Sequence, residues 1–114
     1  MKNFLLLFRY NSNELPKGSS EELQAMTQKW MDWIGSIAAQ DKLVDRGNRL
    51  EFVGKVIDAN HVITDGPYTE VKELIGGYSI IKSSSLEEAT KLALGCPIFV
   101  YGKGSVEVRP INEL

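Results

Sequence analysis

The 114-residue sequence has a single cysteine, Cys96, and a single histidine, His61. One cysteine excludes an intrachain disulfide framework and agrees with a reducing compartment. One histidine excludes a metal site built from several imidazoles, and the carboxylates do not follow a calcium-loop spacing. A phosphate-binding glycine loop is also missing. Gly102-Lys103-Gly104 is too short for one, and Gly76-Gly77 opens a strand pattern, not a helix. Cations are in slight deficit: 13 Lys and Arg face 15 Asp and Glu, for a net charge of −2. That balance, with no basic patch, argues against a nucleic-acid partner. No long apolar run occurs. The run at Phe4–Phe8 is broken by Arg9, too short for a signal core or a membrane span. The expectation is a soluble, cytoplasmic protein with no membrane partner.

What is present is ordinary for one globular domain spanning residues 1–114, with 43% hydrophobic and 25% charged residues. Its densest stretch of backbone punctuation and charge is 64–78, from Thr64-Asp65-Gly66-Pro67-Tyr68 through Glu70, Lys72 and Glu73 to Gly76-Gly77-Tyr78. Asp-Gly-Pro is a turn signal at three successive positions. A strand is therefore expected to end at Thr64, with the chain turning at Asp65. A carboxylate at a sharp strand exit, followed by a charged loop, suits a small polar ligand. It equally suits a plain turn and a solvated loop.

Along the chain, Phe4–Tyr10 reads as a buried strand and 11–18 as a loop. Ser19 with Glu22 forms a capping-box pattern. The stripe Leu23, Met26, Trp30, Trp33, Ile34 and Ile37 then predicts a helix to about Gln40. The two tryptophans are expected in the core or at an interface. Leu50–Ile57 and His61–Thr64 predict two strands joined at Asp58-Ala59-Asn60, with Gly54 as a bulge or close approach. Gly77–Lys82 predicts a further strand. Ser85 with Glu88 caps a second helix that stops at Gly95 before Pro97, and Ser105–Arg109 forms the last strand. This order predicts an α+β sandwich: an antiparallel sheet with both helices on one face. The opposite face is left bare, so a homodimer is expected.

Few residues offer chemistry. His61 and Asp65 share a strand face by alternation, and a His–Asp pair is a proton-transfer unit. Along a strand, however, they stand roughly 13 Å apart unless the turn folds back. Arg109, with Glu107 two residues earlier on the same face, is either an ion-pair partner for Glu70 or Glu73 or a recogniser of a carboxylate or enolate. Tyr68 and Tyr78 could wall such a site, with Glu70 and Lys72 on the intervening loop. Cys96 follows a helix C-terminus, which disfavours a thiolate, so it reads as structural.

The ordered set Asp65-Gly66-Pro67-Tyr68, Glu70, Lys72-Glu73, Gly76-Gly77-Tyr78, Glu88-Ala89, Cys96-Pro97 and Val106-Glu107-Val108-Arg109-Pro110 resembles the YCII-related family, and more closely its DGPF-type branch. Tyr68 stands where that branch usually has Phe. The resemblance implies a ferredoxin-like fold, a dimeric α/β barrel-like assembly through the sheets, a cleft lined by the Asp65 turn, and no cofactor. Some relatives in the wider superfamily are implicated in dehydrochlorinating a hydroxylated aromatic with a His–Asp pair. That histidine belongs near the first helix, and residues 11–40 here contain none. Two functions follow. One is a small dimeric domain that binds a small polar or aromatic molecule, with lyase-like chemistry at Asp65. The other is a non-catalytic module whose loop 65–76 contacts a protein partner.

Overall fold

A computed structural model describes residues 1–11, 17–66, 73–101 and 103–113. The elements in chain order are β1 (Lys2–Asn11), α1 (Ser20–Ala39), β2 (Leu43–Asp45), β3 (Gly54–Ile57), β4 (Ile63–Gly66), β5 (Glu73–Ser83), α2 (Leu86–Ala93), a 3-10 turn (Pro97–Phe99) and β6 (Ser105–Pro110). Four strands form an antiparallel sheet in the order β2-β5-β1-β6, while β3 and β4 make a separate hairpin. The fold is ferredoxin-like α+β, with the hairpin inserted between β2 and β5.

The strand alternation decides which face is covered. Phe4, Leu6 and Phe8 are buried on one side of β1, and Val106 and Val108 of β6 fall on the same side by register. Trp33 and Ile37 of α1 and Ala89 and Ala93 of α2 pack onto that face, so both helices lie together as expected. Each fully buried large apolar side chain there contributes about 1.5–3 kcal/mol relative to exposure. Leu5, Leu7 and Ile80 alternate to the other face and are half-buried. Beside them Glu107 accepts from Arg9 Nη2 at 2.8 Å and lies 3.6 Å from Arg109 Nε.

The helix starts are local chemistry. Ser19 Oγ accepts from the Glu22 N–H at 3.2 Å, and the Glu22 carboxylate accepts from the Ser19 N–H at 3.5 Å. Two N–H groups with no intrahelical partner are thereby satisfied. Ser85 Oγ accepts from the Glu88 N–H at 3.1 Å in the same way. Among the described residues, no helix is long and apolar enough to cross a membrane.

Several expectations need correction. β2 was not foreseen, being three residues without a readable period. The strand expected from Leu50 begins only at Gly54, where a β-carbon would meet nothing within 4 Å, so no bulge or close approach explains that glycine. The chain does not turn at Asp65. β4 continues through Asp65 and Gly66, which pair with Lys55 and Gly54. The physical reason is Pro67: the residue before a proline is pushed into the extended region, which here prolongs the strand. Gly76-Gly77 lies inside β5, which starts at Glu73, and the β1–β5 register slips there between Phe8 and Arg9.

Candidate functional site

A cavity of about 280 Å³ opens between α1 and the end of the sheet formed by the C-terminal half of β1 and the first half of β5. That is just below the roughly 300–1,000 Å³ range of small-molecule sites. Phe8 and Tyr10 of β1 and Thr27, Trp30 and Ile34 of α1 line its apolar side. Phe8 is edge-on to Trp30, with ring centroids 4.9 Å apart, and Trp33 closes the trio at 5.9 and 5.7 Å. Trp33 is tied down by its indole N–H, which donates to the Leu92 carbonyl at 3.0 Å. Trp30 is left as the half-buried ring of the cavity.

The remaining wall is the segment Arg46-Gly47-Asn48-Arg49, which crosses the start of β5. Its backbone is held at three points and that of the adjoining Leu50 at a fourth. The Gly47 N–H donates to the Asp45 carboxylate at 2.8 Å, and the Ser79 hydroxyl donates to the Arg46 carbonyl at 2.6 Å. The Tyr78 N–H reaches the Asn48 carbonyl at 3.3 Å, and the Leu50 N–H reaches the Gly76 carbonyl at 2.8 Å. Gly76 has a steric role at this corner. A β-carbon there would lie 2.5 Å from the Tyr10 ring, so the missing side chain is what admits that ring.

Two guanidinium-bearing residues, Arg46 and Arg49, therefore stand on a fixed backbone at the cavity, and neither has a carboxylate partner among the described residues. Burial raises the pKa of Tyr10 above its ordinary 10.0, the neighbouring Cys96 raises it further, and Arg49 pulls it back down. The phenol is thus a neutral donor at physiological pH, with the Arg49 charge in its surroundings. Cys96 itself is buried, and burial pushes its thiol up to about 12. It is a packed, protonated side chain, in keeping with a structural role.

Asp65, His61 and Arg109 do not gather at this cavity. Tyr78 lines it, and its hydroxyl accepts from Asn48 Nδ2 at 3.3 Å. Asp65 sits on the β3–β4 hairpin, 88% exposed, in an ion pair with Lys55 across the two strands. His61 is exposed at the end of the same hairpin with φ +63°, in a turn where the Asp58 carboxylate accepts from the Asn60 and Val62 N–H groups. It lies outside β4, so the strand alternation that was to align it with Asp65 does not reach it. Arg109 is exposed on β6, and Glu107 of the same strand is its acidic neighbour among the described residues; the loop acid Glu70 and the Glu73 side chain lie outside them. Tyr68, Glu70 and Lys72 lie outside the described residues.

A family model, the YCII-related domain, matches residues 2–114. The chain belongs to the YCII-related family. None of the curated proteins matches it significantly.

Apart from Tyr78 and Gly76-Gly77, the residues that line the cavity of this YCII-related domain carry no site signal in the sequence. Tyr10 reads as the end of a buried strand and Trp30 as a core or interface residue, and Gly47-Asn48 ends the connection after the first helix. The one cue is that Arg46 and Arg49 bracket Gly47-Asn48, so two cations ride on one short turn-like run. What brings that run to the sheet is its pairing with β5, a contact 28 residues away in sequence between Arg49 and Gly77.

Proposed function

We propose that this YCII-related domain binds a small polar or aromatic molecule in the cavity between α1 and the sheet. The observation that carries the reading is the combination of an aromatic wall, Phe8 and Trp30, with a fixed polar rim at 46–49. Small-molecule sites are commonly apolar with a few well-placed polar groups, and this cavity has that make-up. Binding, in place of lyase-like turnover, is the activity that best fits the lining: among the described residues it carries no carboxylate and no imidazole. A panel of single-ring compounds tests the reading. The indole N–H resonance of Trp30 should shift on binding, while that of Trp33, bonded to Leu92, moves less. A panel that moves neither resonance removes the cavity from consideration.

We further propose a homodimer through the open sheet face. Leu5, Leu7 and Ile80 form an apolar strip there that the helices do not cover, and a domain of this size gains stability from covering it. Sedimentation at micromolar concentration should give twice the 12.7 kDa chain mass. A monomer under those conditions would refute it.

A second reading, a module that docks on a protein partner, has one observation in its favour. Val53, Ile57, Val62 and Ile63 are all exposed on or beside the hairpin. Ile57→Lys with Ile63→Lys should leave ligand binding intact and abolish any partner contact made there.

A further inference from the structure

We infer that the ligand is a planar aromatic monocarboxylate, its ring against Trp30 and Phe8 and its carboxylate on the Arg49 guanidinium. The inference rests on the cavity reading above and adds the chemistry of the ligand's head group.

The charge pattern comes first. Arg46 and Arg49 both line the cavity without an acid among the described residues to neutralise them, whereas Arg9 and Arg109 share Glu107. The nearest acid in sequence, Asp45, is engaged with the Gly47 N–H. An unpaired guanidinium beside a partly apolar cavity is a ready partner for an anion, and its planar fork matches a carboxylate through two parallel N–H bonds.

The backbone offers few of its N–H groups to an anion. Phosphate sites usually draw on several free backbone N–H groups. Here the Gly47 and Leu50 N–H groups are already given to Asp45 and to the Gly76 carbonyl, and the Tyr78 N–H to the Asn48 carbonyl. Of the remaining donors, the side chains are the ones that carry charge or reach over the cavity. The Tyr10 phenol, half-buried over Gly76 and within the influence of Arg49, supplies a second one. One cationic fork and one neutral hydroxyl suit the two oxygens of a carboxylate.

The size of the cavity and its wall set the rest of the ligand. About 280 Å³ admits a single ring, and the upright edges and faces of Phe8 and Trp30 favour an aromatic one. Phe8 lies on β1 and Trp30 on α1, both in the packed part of the fold, so the wall is formed before the ligand arrives.

The test compares benzoate with benzamide, which share a ring and differ in charge, by calorimetry and by the Trp30 indole resonance. Benzoate should bind at least tenfold more tightly than benzamide. Arg49→Gln should abolish that preference, and Arg49→Lys should restore only part of it. Tyr10→Phe should weaken benzoate several-fold. Arg49 is exposed, so its variants should melt as wild type does. Equal binding of the two compounds, or a preference that survives Arg49→Gln, overturns the carboxylate inference and leaves the cavity reading standing. Binding of neither compound overturns both.

Discussion

Gly47 lies against the backbone of Tyr78: its φ is +72°, and a β-carbon placed on it would overlap the Tyr78 carbonyl oxygen. Two constraints therefore meet at one residue. The left-handed conformation favours glycine, and the close crossing of 46–49 over β5 leaves no room for a methyl group. This contact is where the fold and the cavity are joined, because the same crossing presents Arg46 and Arg49.

Gly47→Ala should accordingly be costly. Backbone strain adds about 1 kcal/mol and overpacking about 1–3 kcal/mol more. The expected signature in urea is a lower midpoint with an unchanged slope. A variant within 0.5 kcal/mol (about the scatter of surface substitutions) would show that the crossing yields easily.

Gly35 is the opposite case. It lies inside α1, is exposed, and a β-carbon there would meet nothing within 4 Å. Gly35→Ala should stabilise by about 0.5–1 kcal/mol, by removing backbone freedom from the unfolded chain. The urea midpoint should rise. A fall would mean that this face of α1 is covered in solution, as by a second copy of the chain.

These two glycines also show how far the sequence can be read. The helices were legible because their signals are local: Ser19 with Glu22 and Ser85 with Glu88 cap within one turn, and the Trp-rich stripe has a helical period. The α+β layering follows from the order of such segments. The course of 41–54 was not legible, because β2 and the crossing depend on pairing with β5 far along the chain. Nothing in the sequence around Gly47 marks it as special, and the Tyr78 carbonyl is what gives it a reason. The Asp-Gly-Pro signal was strong yet misread, since Pro67 constrains Gly66 to the extended backbone that a strand also uses.

Cys96 predicts an alkaline instability. Its folded pKa is about 12 against an ordinary 9.0, raised mainly by burial. Below pH 9 both folded and unfolded thiols are protonated and the full stability is present. Between pH 9 and 12 the unfolded thiol ionises while the folded one holds its proton, so stability falls as pH rises. Melts at pH 7–11 should show a steeper alkaline loss for wild type than for Cys96→Ala, even if the variant starts lower through the cavity it leaves. At neutral pH the thiol should resist alkylation. Parallel pH curves for the two proteins would show that the folded thiol ionises as freely as the unfolded one.

Asp65 tests whether the hairpin shares in the work of the cavity. Its carboxylate bonds Lys55, and both side chains are largely exposed, so the pair contributes about 0–1 kcal/mol. It closes no turn, because the strand continues through it. Asp65→Asn keeps a hydrogen-bond acceptor for Lys55 and removes the charge, whereas Asp65→Ala removes both. Both variants should therefore stay within about 1 kcal/mol of wild type. They should also bind benzoate with wild-type affinity, since Asp65 does not line the cavity. The measurement is a thermal melt of the three proteins beside the benzoate titration. An Asn variant that melts like wild type but has lost binding would put the Asp65 charge in the ligand site. It would move the centre of chemistry from the arginine segment to the hairpin, and restore acid–base turnover at Asp65 as the leading account of this domain.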